Sequence, residues 1–271
     1  MQRIAVLQMT SGVDPAANAE TIIAAIGSAG MGGAAMLFTP EMSGLLDRKK
    51  SRAAERIVHE DLDPVLSAVR DAAARAGIWV SLGSLAVARE DGRWANRAFV
   101  IDSSGGIAAR YDKLHMFDVD LDTGESWRES STYAAGDNVS TVDTPIGRLG
   151  LAICYDIRFP ALFEALGRKQ CDIIAIPAAF TVPTGRAHWH LLQRARAIEA
   201  SAYVVAAAQV GDHEDGRSTY GHSLVIDPWG EILLDMGGEK AGIGFAEIDT
   251  ARIDEVRKQL PSLANRRNIA I

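Results

Sequence analysis

Hydrophobic and polar positions along this chain follow two rhythms. Ile4-Ala5-Val6-Leu7-Gln8 is an apolar run of the length of a buried strand, and the alanine-rich stretch 16–26 after it reads as a helix. A second run, Ala35-Met36-Leu37-Phe38, stops at Thr39-Pro40-Glu41, so Glu41 is expected where a strand gives way to a loop. Val65, Leu66, Val69, Ala72 and Ala73 recur at helical spacing and predict a helix over 63–75. Strands are expected at 78–85 and 95–101, and Asp91-Gly92 between them predicts a hairpin; a second turn lies at Ser104-Gly105-Gly106.

Residues 112–140 break both rhythms and are rich in Asp, Ser, Gly and aromatic side chains. An irregular segment of that length either encloses a ligand or makes a surface excursion. Order resumes with a strand at 148–153 running directly into Cys154-Tyr155-Asp156. Pro160 suits the first turn of a helix through 166. A strand at 172–176, a Pro177-Ala178-Ala179-Phe180 loop and a helix at 187–200 follow. Strands at 203–208, 223–226 and 242–248 and a helix at 253–260, stopped by Pro261, complete the pattern. Helices and strands alternate twice, over 4–101 and 148–248, without a composition break or linker, so one domain over 1–271 is expected. Two stacked sheets under outer helices fit this rhythm. A Rossmann-like sheet fits the alternation too, although no Gly-x-Gly-x-x-Gly opens the first helix.

Composition narrows the classes. The 271 residues are 48% hydrophobic and 23% charged, enough for a sizeable core and ordinary for a globular protein. A net charge of −7 disfavours nonspecific attraction to phosphate backbones, so no nucleic-acid partner is expected, and the apolar runs are far below membrane-spanning length. Two cysteines, Cys154 and Cys171, make neither a disulfide framework nor a metal array. A reducing cytoplasm and a chain entered without a leader segment are the expectations.

Cys154 lies between an apolar strand and a polar turn that leads to a helix. That geometry exposes a nucleophile and sets peptide N–H groups beside a developing oxyanion; the bland alternative is a small core thiol. Cys171 starts a buried strand with no acidic or histidine motif beside it and reads as a core thiol. A neutral thiol needs a proton acceptor, which Glu41 is placed to supply unless it is a solvated carboxylate. Lys113 suits an oxyanion partner or a surface charge, and Glu129 suits a group orienting Lys113 or a surface ion pair.

Four pieces, taken in order, carry a resemblance to the nitrilase, or carbon–nitrogen hydrolase, superfamily. They are Phe38-Thr39-Pro40-Glu41, Tyr111-Asp112-Lys113-Leu114-His115-Met116-Phe117, Arg128-Glu129-Ser130 and Gly150-Leu151-Ala152-Ile153-Cys154-Tyr155-Asp156-Ile157-Arg158-Phe159-Pro160. The resemblance implies an α/β four-layer α-β-β-α sandwich that pairs into a homodimer. It implies Glu41 as general base, Lys113 as transition-state stabiliser, Cys154 as nucleophile and Glu129 as a further active-site glutamate. The backbone N–H of Tyr155 joins Lys113 at the oxyanion. No metal or organic cofactor is implied. The reaction is hydrolysis of a linear small-molecule amide through a thioester, releasing acid and ammonia.

Pro177-Ala178-Ala179-Phe180, Thr184-Gly185-Arg186-Ala187-His188-Trp189 and Arg194-Ala195-Arg196-Ala197-Ile198-Glu199 resemble the branch of omega-amidases and deaminated-glutathione amidases. Tyr220-Gly221-His222-Ser223 and Asp227-Pro228-Trp229-Gly230 lean toward the latter. Arg186 and His190 depart from the proline and glutamate common there in animal relatives. The expected substrate is a small amide bearing a distal carboxylate, held by residues drawn from Arg158, Phe180, Arg186, His188 and Trp189, with Arg194 a further basic candidate. Omega-amidase activity on 2-oxo-dicarboxylic acid amides, and a catalytically weak binding or scaffold role, are the alternatives. His115 suits a support for Lys113 or a pocket-lining residue, and the histidines show no metal-binding spacing. Trp127, Trp189 and Trp229 suit pocket walls or core packing.

Overall fold

In the computed structural model, which describes residues 1–122, 124 and 126–267, twelve strands build two six-stranded mixed sheets. The first sheet runs in the order Gly242–Ile248, Gln2–Gln8, Met36–Phe38, Trp79–Ala88, Trp94–Ile101, Ile107–Asp112. Met36–Phe38 lies parallel between Gln2–Gln8 and Trp79–Ala88. The second sheet runs Ile232–Asp235, Leu224–Ile226, Tyr203–Ala206, Ile173–Ala175, Gly147–Leu151, Thr141–Thr144, and its three inner strands 147–151, 173–175 and 203–206 are parallel.

Strand alternation assigns each residue of the first sheet to one of two cores. Ile4, Val6, Met36, Phe38, Ala98 and Val100 point toward the second sheet and share a core with Leu149, Leu151, Ile173 and Val205. Their neighbours Ala5, Leu7, Leu37, Phe99 and Ile101 point the other way, onto Ile22 and Ile26 of helix α1 (Pro15–Met31) and Leu66, Val69 and Ala73 of α3 (Pro64–Ala76). Between these helices in sequence lies the short α2 (Lys50–Ala53). On the second sheet, Phe163 and Leu166 of α4 (Pro160–Arg168) and Trp189 and Ala197 of α5 (Val182–Ala200) close the remaining face. Helix α6 (Thr250–Gln259) adds Ile253. The architecture is the α/β four-layer sandwich expected for the nitrilase superfamily, with mixed rather than purely parallel sheets.

Local signals explain the helix ends. Asp63 caps α3 by accepting from the Leu66 N–H at 2.9 Å, Pro64 occupies the first turn, and Gly77 ends the helix in the left-handed conformation (φ 66°). Helix α5 begins at Val182, five residues before the expected start at 187, because Pro183 in its first turn initiates rather than breaks it. Arg186 thereby lies within the helix rather than before it. The irregular stretch 112–140 contains a small antiparallel ribbon, Asp118–Asp120 with Ser126–Arg128, and a 3₁₀ turn at Glu129–Ser131.

Candidate active site

The carboxyl ends of central strands in the two sheets meet over one cavity. Met36–Phe38 delivers Glu41 just past its end, and Gly147–Leu151 delivers Cys154. Between parallel strands the carboxyl end is where side chains project clear of the ladder. The turn carrying Glu41 is tightly held: Ser43 Oγ donates to the Pro40 carbonyl at 2.5 Å, the Met42 N–H donates to Ser84 Oγ at 2.9 Å, and Met42 adopts φ 55°. Gly83 makes this turn possible, since a Cβ there would strike the Thr39 and Pro40 carbonyls. Gln209 Nε2, beyond the strand Tyr203–Ala206, donates to the Glu41 carbonyl at 3.0 Å and ties the two sheets together at this point.

Cys154 has φ 48°, a left-handed conformation uncommon for a residue with a side chain. Its N–H still donates to the Pro177 carbonyl at 2.9 Å, so the strand ladder is kept while the side chain turns out of the sheet. A short 3₁₀ segment, Cys154–Arg158, begins there and places the Tyr155 N–H in its first turn, where donors lack partners within the segment. Asp156, fully buried, fixes this elbow: its carboxylate accepts from the Ile153 N–H at 2.9 Å, the Tyr111 hydroxyl at 2.7 Å and the His115 N–H at 3.0 Å. His115 Nδ1 adds a contact to Asp156 at 2.7 Å, and its ring stacks on Phe159 at 3.6 Å. His115 therefore supports the segment bearing Lys113 through Asp156.

Glu41, Lys113, Glu129 and Cys154 all line one cavity of about 430 Å³, together with Tyr155 and Phe180. Lys113 Nζ donates to Glu41 Oε1 at 2.9 Å and to Glu129 at 2.9 and 3.1 Å. Glu129 Oε2 also accepts from the Phe117 N–H at 2.7 Å, and Glu41 Oε2 from the Ala179 N–H at 2.9 Å. Asn96 bridges the two carboxylates, its Nδ2 lying 2.9 Å from Glu41 and 3.2 Å from Glu129. One ammonium, two carboxylates and an amide thus form a closed network, with Lys113 2% and Glu41 4% exposed. Burial at this depth is tolerable only when charges are paired and hydrogen-bonded.

The electrostatics set a definite resting state. Burial pushes the Glu41 pKa up, but the charge and hydrogen bond of Lys113, with Cys154 and Asn96, outweigh it and hold the carboxyl below its ordinary 4.5. Burial and then the Glu41 charge push the Cys154 thiol well above its ordinary 9.0, against the pull of Lys113. Burial works against the Lys113 ammonium, but Glu129, Glu41 and Cys154 raise its pKa well above 10.5. The site rests with a neutral thiol beside an ionised carboxylate and a charged lysine. Cys171 is fully buried, and burial pushes its thiol up to about 12, as a core thiol requires.

Of the residues expected to hold a substrate, Phe180 lines the cavity and four others take different places. Trp189 is fully buried, packs on Phe180 with ring centroids 4.9 Å apart and donates through Nε1 to the His222 carbonyl at 2.8 Å. On α5, Trp189 falls on the inward face and Arg186 and His188 on the exposed face. The expectation that these three form the pocket wall is corrected accordingly. Arg158 lies beside the wall, its guanidinium over Tyr155 at 5.9 Å and Phe180 at 5.5 Å and 3.4 Å from His188 Nδ1. Arg194 donates to the Gly230 carbonyl.

Besides Lys113, the cations that line the cavity are Arg48, Lys50, Arg128 and Arg217; only Arg128 falls within a quoted motif, and none of the four was expected to hold the substrate. Arg217 and Arg48 lie over the Trp127 ring at 5.0 and 5.5 Å, and Trp127 lines the cavity, one of the two places the sequence left open for it; Trp229 is 46% exposed. Asp215 fixes Arg217 at 2.7 Å, and Asp120 pairs with Arg128 at 2.7 Å. The sequence did contain a signal for Asn96 and Gln209, polar residues in or beside apolar strands.

Comparisons with known proteins identify relatives of the whole chain. The carbon–nitrogen hydrolase family model matches residues 3–258. The deaminated glutathione amidase of Yersinia enterocolitica is 40% identical over 98% of this chain and 93% of its own length. The nitrilase and fragile histidine triad fusion protein NitFhit of Caenorhabditis elegans is 40% identical over 98% of this chain, which spans 60% of the fusion. The crystal structure of that worm protein superposes with a TM-score of 0.89 at 39% identity, covering 98% of this chain and 65% of the other. Saccharomyces cerevisiae Nit3, a member of branch 10 of the nitrilase superfamily, gives 0.86 at 25% identity, covering 96% and 94%. The chain belongs to the carbon–nitrogen hydrolase, or nitrilase, superfamily, in the amidase branch that resembles the deaminated glutathione amidases and NitFhit proteins.

Proposed function

We propose that this protein hydrolyses a small carboxylate-bearing amide through a Cys154 thioester, with a deaminated glutathione-like molecule as its leading substrate. The observation that carries the reading is the meeting of Cys154, Glu41, Lys113 and Glu129 in one cavity whose wall also holds Arg48 and Arg217.

In this reading Glu41 takes the thiol proton as sulfur adds to the amide carbon. The carbonyl electron pair moves onto oxygen, where the Lys113 ammonium and the Tyr155 N–H receive it. Collapse reforms the carbonyl, breaks the carbon–nitrogen bond and returns the proton from Glu41 to the leaving nitrogen. Water then gives a proton to Glu41 and attacks the thioester, releasing the acid and the thiol. Glu129 and Asn96 hold Lys113 and Glu41 in place throughout. No step needs a metal or cofactor.

A deaminated tripeptide of this kind carries substituted amides, so its leaving group is an amine; ammonia leaves from the primary amide of a shorter 2-oxo-dicarboxylic substrate. The roughly 430 Å³ cavity falls within the range of small-molecule sites and favours the larger acyl donor. Initial rates with product identification separate the readings. The expected result is the highest kcat/KM on the carboxylate-bearing 2-oxo acyl peptide, with amine release. Arg48→Met and Arg217→Met lower that value about 10- to 100-fold each, the worth of a charge-assisted hydrogen bond, and spare a neutral amide of matched length. A preference for simple nitriles, or for neutral amides, overturns the substrate assignment.

A further inference from the structure

Outside the cavity, three chain segments bring His190, His222 and Asp235 together. His190 is on α5, His222 follows the strand Ser218–Tyr220, and Asp235 ends the edge strand Ile232–Asp235. One ligand atom from each lies within 4.8 Å of the others. Asp235 Oδ2 lies 3.0 Å from His190 Nε2 and 3.2 Å from His222 Nδ1. Four-coordinate zinc with bonds of about 2.0–2.1 Å sets its ligand atoms ~3.3 Å apart, close to these separations.

We propose that His190, His222 and Asp235 form a binding site for a divalent transition cation such as Zn²⁺, with a fourth position open to water. Two imidazoles and a carboxylate are the donor set such cations prefer. The ligands are also held from behind. His222 sits at φ 52°, uncommon for a residue with a side chain, and Tyr220 stacks on its ring at 4.5 Å. Asp235 Oδ1 accepts from the Gly237 N–H at 2.9 Å, the kind of outer contact that orients a metal ligand. Bound metal clips the edge strand of the second sheet to α5, whose first turn contributes Thr184 to the cavity. The site is independent of the proposed amide chemistry.

The competing account is a metal-free hydrogen-bonded His–Asp–His relay. Calorimetric titration of untagged, chelator-treated protein with ZnCl₂ decides between them, using Cys154→Ala so that the cavity thiol supplies no ligand. One Zn²⁺ per chain is expected, with a rise in melting temperature on saturation. His190→Ala and the isosteric Asp235→Asn each weaken binding by at least about tenfold and abolish the thermal shift, with circular dichroism unchanged. Absence of stoichiometric binding, or equal binding in both variants, overturns the proposal.

Discussion

Lys113 carries the largest structural consequence of any single side chain in the cavity. It is the cation between two buried carboxylates, so Lys113→Met leaves both uncompensated, and a loss of about 3–5 kcal/mol in denaturant unfolding is expected. Asn96→Leu removes donors to the same two carboxylates at a cost of about 1–3 kcal/mol. Glu41 gives a pH signature of defined sign. Its folded-state pKa lies below 4.5, so its contribution to stability is present above that value and disappears as pH falls through the lower folded value. Glu41→Gln should flatten that part of the acid unfolding curve. Cys154 acts at the other end: its pKa is raised, so its contribution is complete below 9.0 and declines above it as the unfolded chain ionises. Cys154→Ala should reduce the alkaline loss of stability measured by urea unfolding. Neither group titrates between 4.5 and 9.0, and a kcat/KM free of their ionisations across that interval is the kinetic counterpart.

At the scale of elements, the strand that bears Gly83 and the turn that bears Glu41 are one unit. Gly83→Ala drives a methyl group into the Thr39 and Pro40 carbonyls, so kcat is expected to fall together with stability, whereas Gly27→Ala, in open space on α1, changes neither activity nor fold. Strand ends and motifs made Glu41, Lys113, Glu129 and Cys154 legible in the sequence, because each sits where an apolar run stops or within a recognisable string. Asn96, Gln209 and Asp156 stand out only as polar residues in or beside apolar strands; the partners that give them a role, such as Glu41 for Asn96 and Gln209 and Tyr111 for Asp156, lie 45 to 168 positions away, which local pattern does not encode. Helix α5 starts five residues before the expected 187, with Pro183 in its first turn and Gly185 just after it. Gly185 is in fact required where the helix crosses Tyr220, whose side chain a Cβ would strike. The strands Thr141–Thr144 and Ile232–Asp235 lie at opposite edges of the second sheet; the first has one apolar residue, Val142, and the second leaves Ile232 and Leu233 exposed, so neither shows the pattern of a buried strand.

For the whole molecule, alternation of helix and strand left a single Rossmann-like sheet open beside two stacked sheets. The distinction rests on which alternate residues share a core, Ile4 and Val6 with the second sheet and Ala5 and Leu7 with α1 and α3, and no linear pattern states which core a face meets. The exposed surface carries its own prediction. Leu191 and Ile198, seven residues apart on α5, are 69% and 43% exposed, and Ile198 lies against Gly230 beside the exposed Trp229. An apolar row of this kind suits a second copy of the chain, and sedimentation equilibrium is expected to show a dimer that Leu191→Glu shifts toward monomer. The assembled account stands on Cys154. Rapid acid quench during turnover, followed by peptide mass spectrometry, tests it most directly: the account predicts the acyl group on the Cys154 peptide and turnover reduced by several orders of magnitude in a folded Cys154→Ala protein. Acyl transfer to another residue, or undiminished turnover by Cys154→Ala, would contradict it.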